Sequence, residues 1–192
     1  MKKLNVLVTL LLMAAGSAFA QTKWATDLAH SKVGFSVTHM TISEVEGNFK
    51  DFTATVVSKS EDFNGAEVEF AAKVASIDTD NDMRNGHLKS DDFFNAEKFP
   101  EITFKGILVK EGGKYQLKGK LTMRDVTKDV ALDVTYGGTI DTGKEVKAGF
   151  KLTGKVNRLE YGLKWKNALQ NGSLVVADEV QINVKIELKK AA

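Results

Sequence analysis

The sequence predicts an all-β chain, an antiparallel sandwich or barrel, and three observations predict it. Apolar and polar residues alternate with period two through most of the length. Turn residues such as Asn64-Gly65, Gly112-Gly113, Gly137-Gly138, Thr142-Gly143 and Asn171-Gly172 break the alternation at short intervals. Each run has one polar face, as strands of antiparallel sheets do, whereas strands of parallel sheets are apolar on both sides.

Taken in chain order, the first element is not part of the fold. Lys2 and Lys3 precede a largely apolar run from Leu4 to Met13, and Ala18-Phe19-Ala20 presents small residues where a signal peptidase cuts. The run is about half the ~20 residues that span a bilayer core. Residues 1–20 are therefore expected to be a cleaved secretory signal, and residues 21–192 one domain, without stable membrane insertion. With no cysteine there can be no disulfide, so stability must come from the core. Loss of Lys2 and Lys3 brings the formal charge from +2 to neutral, which leaves no basic footprint for a nucleic acid.

The strands follow. Val33-Phe35-Val37, Phe52-Ala54-Val56 and Ile102-Phe104 are short alternating cases, and Val68, Phe70, Ala72 and Val74 share one face opposite Glu67, Glu69 and Lys73. Tyr115, Leu117, Gly119 and Leu121 alternate with Gln116, Lys118 and Lys120. The same pattern runs through Val130-Leu132-Val134-Tyr136, through Ala148-Phe150-Leu152-Gly154-Val156 and through Val180 to Leu188. A sandwich would fill its interior with interdigitating side chains; a barrel of about eight strands can hold a small ligand. Ala72, Gly119, Ala148 and Gly154 on the apolar faces fit either local bending and close packing or internal space.

The exception to the strand pattern is DTDNDMRNGHLKSDDFF, from Asp78 to Phe94. As a calcium loop it fails, because Met83 stands where the sharp turn needs glycine and Lys89 where a bidentate glutamate is required. His30, His39 and His87 are the only histidines, with no metal-ligand spacing among them, so no metal site is expected. No nucleophile elbow or phosphate loop is present, and no cofactor is expected. His87 beside Asp82 or Asp91 could move protons, but nothing in the spacing requires it. The remaining reading is a helix over 81–89 capped by Asp80, then a second turn capped by Ser90. On that helix Arg84, His87 and Leu88 share a face. A crossover of this kind suits a barrel mouth.

The chain resembles the YceI-like, or polyisoprenoid-binding, family of lipid-binding proteins. The resemblance is carried by HSKVGFSVTHM from His30, EGNFKDF from Glu46, SIDTDNDMRNGHLKSDDFF from Ser76, FPEITF from Phe99, LTMRDVTKDV from Leu121 and NRLEYGL from Asn157, with Asp178 to Val180. It implies an extended, lipocalin-like antiparallel β-barrel with a short helical crossover near one end. It also implies a long-chain lipid or isoprenoid ligand, no enzymatic activity and, often, a homodimer exported to the periplasm. Three places depart from the family pattern. Asn85 replaces an acid after the arginine, which removes a potential partner of Arg84. Asp125 to Val130 replaces Gly-Val-Thr-Lys-Pro-Val. Asn157 to Gly162 has Glu160 and Tyr161 where the family has aspartate and phenylalanine.

Expected tail-lining residues are Phe35, Val37, Phe70, Val74, Leu88, Phe94, Leu117, Leu121, Leu132, Phe150 and Leu152; His39, Arg84, His87 and Arg158 are the polar candidates for the mouth and head group. No catalytic residue is expected. The rival expectations are a filled structural or interaction domain serving in envelope stress, and an enzyme acting on a lipid head through His87.

Overall fold

Eleven strands pair antiparallel and close on themselves. The computed structural model describes residues 21–191; the segment read as a signal peptide lies outside the described residues. The strands are β1 (Thr22–Thr26), β2 (Lys32–His39), β3 (Ser43–Phe49), β4 (Phe52–Ser58), β5 (Ala66–Lys73), β6 (Ile77–Asp78), β7 (Glu101–Glu111), β8 (Lys114–Met123), β9 (Val126–Asp141), β10 (Val146–Asn157) and β11 (Val176–Lys190). One helix, α1 (Asp82–Lys89), lies between β6 and β7.

The order β1-β4-β5-β7-β8-β9-β10-β11, closed by the pairing of β1 with β11, makes an eight-stranded barrel. The remaining strands continue lines already in it. β2 takes the same edge of β11 that β1 occupies, Lys32 to His39 against Val176 to Lys185 and Thr26 against Leu188. β3 runs into β4 through Lys50-Asp51, and β5 into β6 through a 3-10 turn at Val74–Ser76. Three neighbouring strand lines thus break at one level. Backbone bonds tie the break together: Lys50 N–H to the Ser76 carbonyl at 3.2 Å and Lys73 N–H to that of Asp51 at 2.9 Å. The result is one up-and-down barrel, lengthened beyond the break. Closure leaves few open strand edges, which disposes of the pairing hazard of an open sheet.

Turn chemistry sorts by end. Gly112-Gly113 links β7 to β8 with φ of 56° and 82°, the positive values that primed hairpin turns need and glycine supplies freely. At the opposite end Met40-Thr41 and Arg124-Asp125 adopt the same left-handed conformation without glycine. Gly137-Gly138 is not a turn. It lies inside the sixteen-residue β9, where Phe150 pairs with Tyr136 and Gly149 with Gly138, leaving Gly137 as a bulge.

The small inward residues have different causes. Gly119 faces Gly106 across β7 and β8. A Cβ on Gly119 would strike the Lys105 carbonyl and meet the Phe104 ring at 2.6 Å. Gly154 lies beneath the Leu132 side chain in the same way. Both glycines are seats on which a neighbouring side chain lies flat against the wall. Ala148 is fully packed, whereas Ala72 borders internal space.

Helix α1 is capped by Asn81, whose Oδ1 accepts from the Arg84 N–H at 2.9 Å, and not by Asp80. Asp80 sits at φ 57°, and its own N–H is held by Asp78 Oδ1. Asn81 is extended, the backbone state from which an N-cap side chain reaches back. Ser90 ends this helix; a second turn does follow over 91–94, closed by the Phe93 N–H on the Ser90 carbonyl at 3.2 Å, but the Ser90 hydroxyl donates back to the His87 carbonyl and does not cap it.

The break in the first strand line is clamped from outside. The buried Asp27 side chain meets His30 Nδ1 at 2.9 Å, Lys147 Nζ at 3.1 Å and Lys189 Nζ at 3.2 Å, while Lys147 also reaches Glu187 at 2.7 Å. Asp27, His30 and Glu187 lie close enough to share an ion, but the lysine ammonium groups already supply the positive charge. Hydrogen bonding to His30, then to the two lysines, outweighs burial and holds the Asp27 carboxyl well below the usual carboxylate range.

Two predictions follow from packing and charge. Gly119→Ala should lower stability in urea by about 1–3 kcal/mol through overpacking, whereas Gly86→Ala, on a helical position with open space around it, should be neutral or stabilising by up to ~1 kcal/mol. A carboxylate with a depressed folded-state pKa contributes stability above its unfolded value, near 3.9, that is lost as pH falls towards the folded value. The urea midpoint of the wild type should therefore drop as pH goes below about 4. Asp27→Asn should be weaker at neutral pH and show a shallower drop over that window.

Candidate functional site

The barrel encloses a cavity of about 240 Å³, room for on the order of eight water molecules at about 30 Å³ each. Its lining is apolar apart from Arg158. Inward positions of every long strand contribute, among them Val33, Phe104, Leu117, Leu132, Phe150 and Ile182. The lining stretch of β11 from Val180 to Leu188 alone extends ~26 Å along the strand at 3.3 Å per residue. Many of these side chains, including Val68, Phe70, Val130, Leu152 and Val184, are only half-buried although they point inward, because they border space instead of a neighbour.

One end is closed. Phe63, on the loop before β5, is fully buried with its ring centroid 5.0 Å from those of Trp24 and Phe150 and 5.6 Å from Tyr136. The Tyr115 hydroxyl donates to the Asp62 carbonyl at 2.8 Å, and Lys110 holds the Asp62 carboxylate at 3.0 Å. The hydrogen bond from Lys110, helped by the Asn64 amide and Ser60, pulls the Asp62 carboxyl down to about 2. Phe63 was not read from the sequence as functional. Its only signal is a single aromatic residue inside the polar stretch Asp62 to Gly65.

At the other end the cavity reaches Val37, Leu88, Phe94, Leu163 and Val176, and this end is the mouth. Above the break, α1 and residues 90–100 carry the chain from β6 to β7. Arg124, at the β8–β9 turn, grips this crossover: its guanidinium donates to the carbonyls of Asp91 and Phe93 and to Asp91 Oδ1, and lies over the Phe99 ring. Phe93 packs with Trp165 and His87.

Ten of the eleven expected tail residues line the cavity: Phe35, Val37, Phe70, Leu88, Phe94, Leu117, Leu121, Leu132, Phe150 and Leu152. Val74 does not. The alternation stops at Lys73, and Val74 is buried in the 3-10 turn of the break, off the lumen. The four polar candidates are not brought together as one head-group site. Arg158 is buried, and its five donors go to the carbonyls of Ala177, Leu163, Trp165 and Val176 and to Asp178, so none is left for a ligand. Burial pushes its guanidinium pKa downward against the pull of Asp178. Arg84 donates to the side chain and carbonyl of Thr79 at 2.9 and 2.6 Å. Asn85 is the buried partner here, its Oδ1 accepting from the Thr79 N–H and hydroxyl, so the departure from an acid leaves a satisfied network. His87 pairs with Asp92 at 2.9 Å on the outer side of the crossover, and His39 closes β2 opposite Val176.

A closed antiparallel barrel with one plugged end and an apolar lumen defines a class, the small-ligand-binding β-barrels. Within it, the chain belongs to the YceI-like family, whose domain model matches residues 24–188. A UPF0312 protein of Staphylococcus aureus is 32% identical over 169 residues, covering 86% of this chain and 96% of the relative. Crystal structures of Burkholderia cenocepacia BcnA and of a Campylobacter jejuni YceI protein superpose with TM-scores of 0.71 and 0.70 at 27% and 32% identity. They cover 84% and 86% of this chain and 98% and 96% of their own. A polyisoprenoid-binding domain from Saccharophagus degradans shares the fold at TM-score 0.58 and 17% identity, covering 88% of this chain and 98% of its own. Among the described residues no helix is long and apolar enough to cross a membrane.

Tyr161 stands where the family pattern has phenylalanine, and its hydroxyl is the one buried side-chain polar atom without a partner among the described residues. Burial pushes its pKa up to about 12. The position suits an apolar ring. Tyr161→Phe should raise the urea-unfolding free energy by about 1 kcal/mol, because it removes an unsatisfied buried group; a loss of stability would show that the hydroxyl has a partner.

Proposed function

We propose that this protein binds a long-chain apolar lipid, an isoprenoid, isoprenoid quinone or fatty-acid derivative, inside the barrel and carries or sequesters it without chemical change. The observation that carries this reading is the apolar, partly filled lumen with half-exposed inward side chains. A filled structural domain would bury those residues. A shared fold with a polyisoprenoid-binding domain supports the same reading. An enzyme acting through His87 is not favoured, because that ring faces Asp92, Phe93 and Trp165 and is absent from the cavity lining. Cleavage after Ala20 and residence in the periplasm belong to the proposal and rest on the N-terminal pattern.

The driving force is desolvation of the tail. Removing on the order of 400 Å² of hydrocarbon from water is worth about 10 kcal/mol gross, less the cost of ordering a flexible chain. A wall of this kind discriminates weakly, since one methylene more or less changes little. Selectivity then lies in lumen length, set by the Phe63 plug, and in what the mouth tolerates.

Native mass spectrometry of gently purified protein, followed by lipid extraction, should recover an apolar passenger from wild type. Leu117→Arg, which puts a charge into the lumen, and Leu152→Trp, which fills it, should both lose the passenger while circular dichroism shows a retained β-fold. Wild type with no passenger and no uptake of an added prenol would overturn the proposal.

A further inference from the structure

The mouth is electrostatically two-sided. On one side run α1 and the crossover, where Asp80, Asp82, Asp91, Asp92 and Glu97 face Arg84, Lys89, Lys98 and the Arg124 that pairs with Asp91, an excess of one negative charge. On the other lies a lip, residues 162–177, with Lys164 and Lys166; Lys166 reaches Asp178, just past its end, at 3.5 Å, whereas Lys164 is exposed. The lip is held from below by Arg158, which takes its carbonyls at Leu163, Trp165, Val176 and Ala177. It is continuous with the β2–β3 hairpin tip, since the Met40 N–H donates to the Val175 carbonyl at 2.9 Å.

That tip, Met40 to Ser43, is uncharged, with the exposed Glu44 next after it, and presents Ile42 at 85% exposure. It does so on a turn where Met40 and the β-branched Thr41 both have positive φ, a conformation usually left to glycine. On the lip, Trp165 is half-buried, one side of its ring packed on Phe93 and His87, and flanked in sequence by the exposed Lys164 and Lys166; an amphipathic ring beside cations suits a membrane–water boundary.

We infer that the hairpin tip and the 162–177 lip form a docking edge for the surface of a bilayer containing anionic lipid, with Ile42 entering the interface and Lys164 meeting the headgroups. This deepens the proposed function and rests on it for its purpose: a hydrocarbon tail leaving the lumen at Val37, Leu163 and Val176 meets a membrane there instead of water.

Flotation with phosphatidylcholine vesicles, with and without phosphatidylglycerol, tests the edge. All samples must be in one processing state by intact mass, so that the N-terminal apolar run is not a variable. Wild type should bind the phosphatidylglycerol vesicles, more weakly at high salt. Lys164→Gln should reduce binding roughly fivefold, the effect of one cation near an anionic surface. Ile42→Ser should lower the salt-resistant part. Both variants should take up a fluorescent fatty acid in vesicle-free solution as wild type does. Wild type that takes up the probe but does not float, or floats unchanged by both substitutions, overturns the docking edge and leaves the lumen reading standing; unchanged flotation would mean that another face touches the bilayer. Wild type that floats through these residues but takes up no probe overturns the lumen reading and leaves the edge.

Discussion

The structure depends on how one edge of β11 is satisfied. A strand of fifteen residues needs a partner along its whole length, or the barrel stays open and the lumen floods. No single strand supplies it. β1 covers the last three positions and β2 the stretch below Lys185, with the chain stepping sideways between them at Asp27 to Ser31. A step of this kind exposes backbone polar groups that must find partners. Asp27 N–H donates to the Glu187 carbonyl, the Asp27 carboxylate takes Ala29, and the lysines of β10 and β11 clamp it from outside. The neighbouring lines break at the same level because antiparallel pairing carries an interruption sideways.

Closure then sets the terms for the interior. Inward side chains of an eight-stranded barrel can meet at the axis and fill it. Here the wall recedes in places: Phe104 lies flat across Gly106 and Gly119, and Leu132 across Gly154. Phe63 seals one end with an aromatic cluster, and the other is roofed by a crossover that Arg124 holds through backbone carbonyls. Such a space strongly favours hydrocarbon over water and is nearly indifferent to its identity. The one charge at its border, Arg158, is spent on holding the lip. Its function is architectural, yet the lip it fixes borders the opening.

Much of this was legible in the sequence, for a definite reason. Side chains on a strand alternate with period two whatever the partner strand, so Phe35, Val37, Leu117, Leu132 and Leu152 could be assigned to the inner face without knowing their neighbours. The assignment failed where the chain left the strand: Val74 kept the period but sits in a 3-10 turn. It failed also for Gly137-Gly138, since a glycine pair suits a bulge as well as a turn. The cap of α1 went to Asn81 over Asp80 because backbone conformation, and not residue preference, decided which side chain could reach the Arg84 amide.

By itself, the sequence determined the fold class, the inward faces and the apolar character of whatever they enclose, because these depend on local periodicity and composition. Only the tertiary structure decided that the enclosed space stays partly open, that Phe63 closes one end, and that Arg158 and Arg84 are consumed by carbonyls and Thr79. Those outcomes depend on distances between residues far apart in the chain, from Phe63 to Phe150 and from Arg124 to Asp91, and a linear pattern contains no information about separations in space.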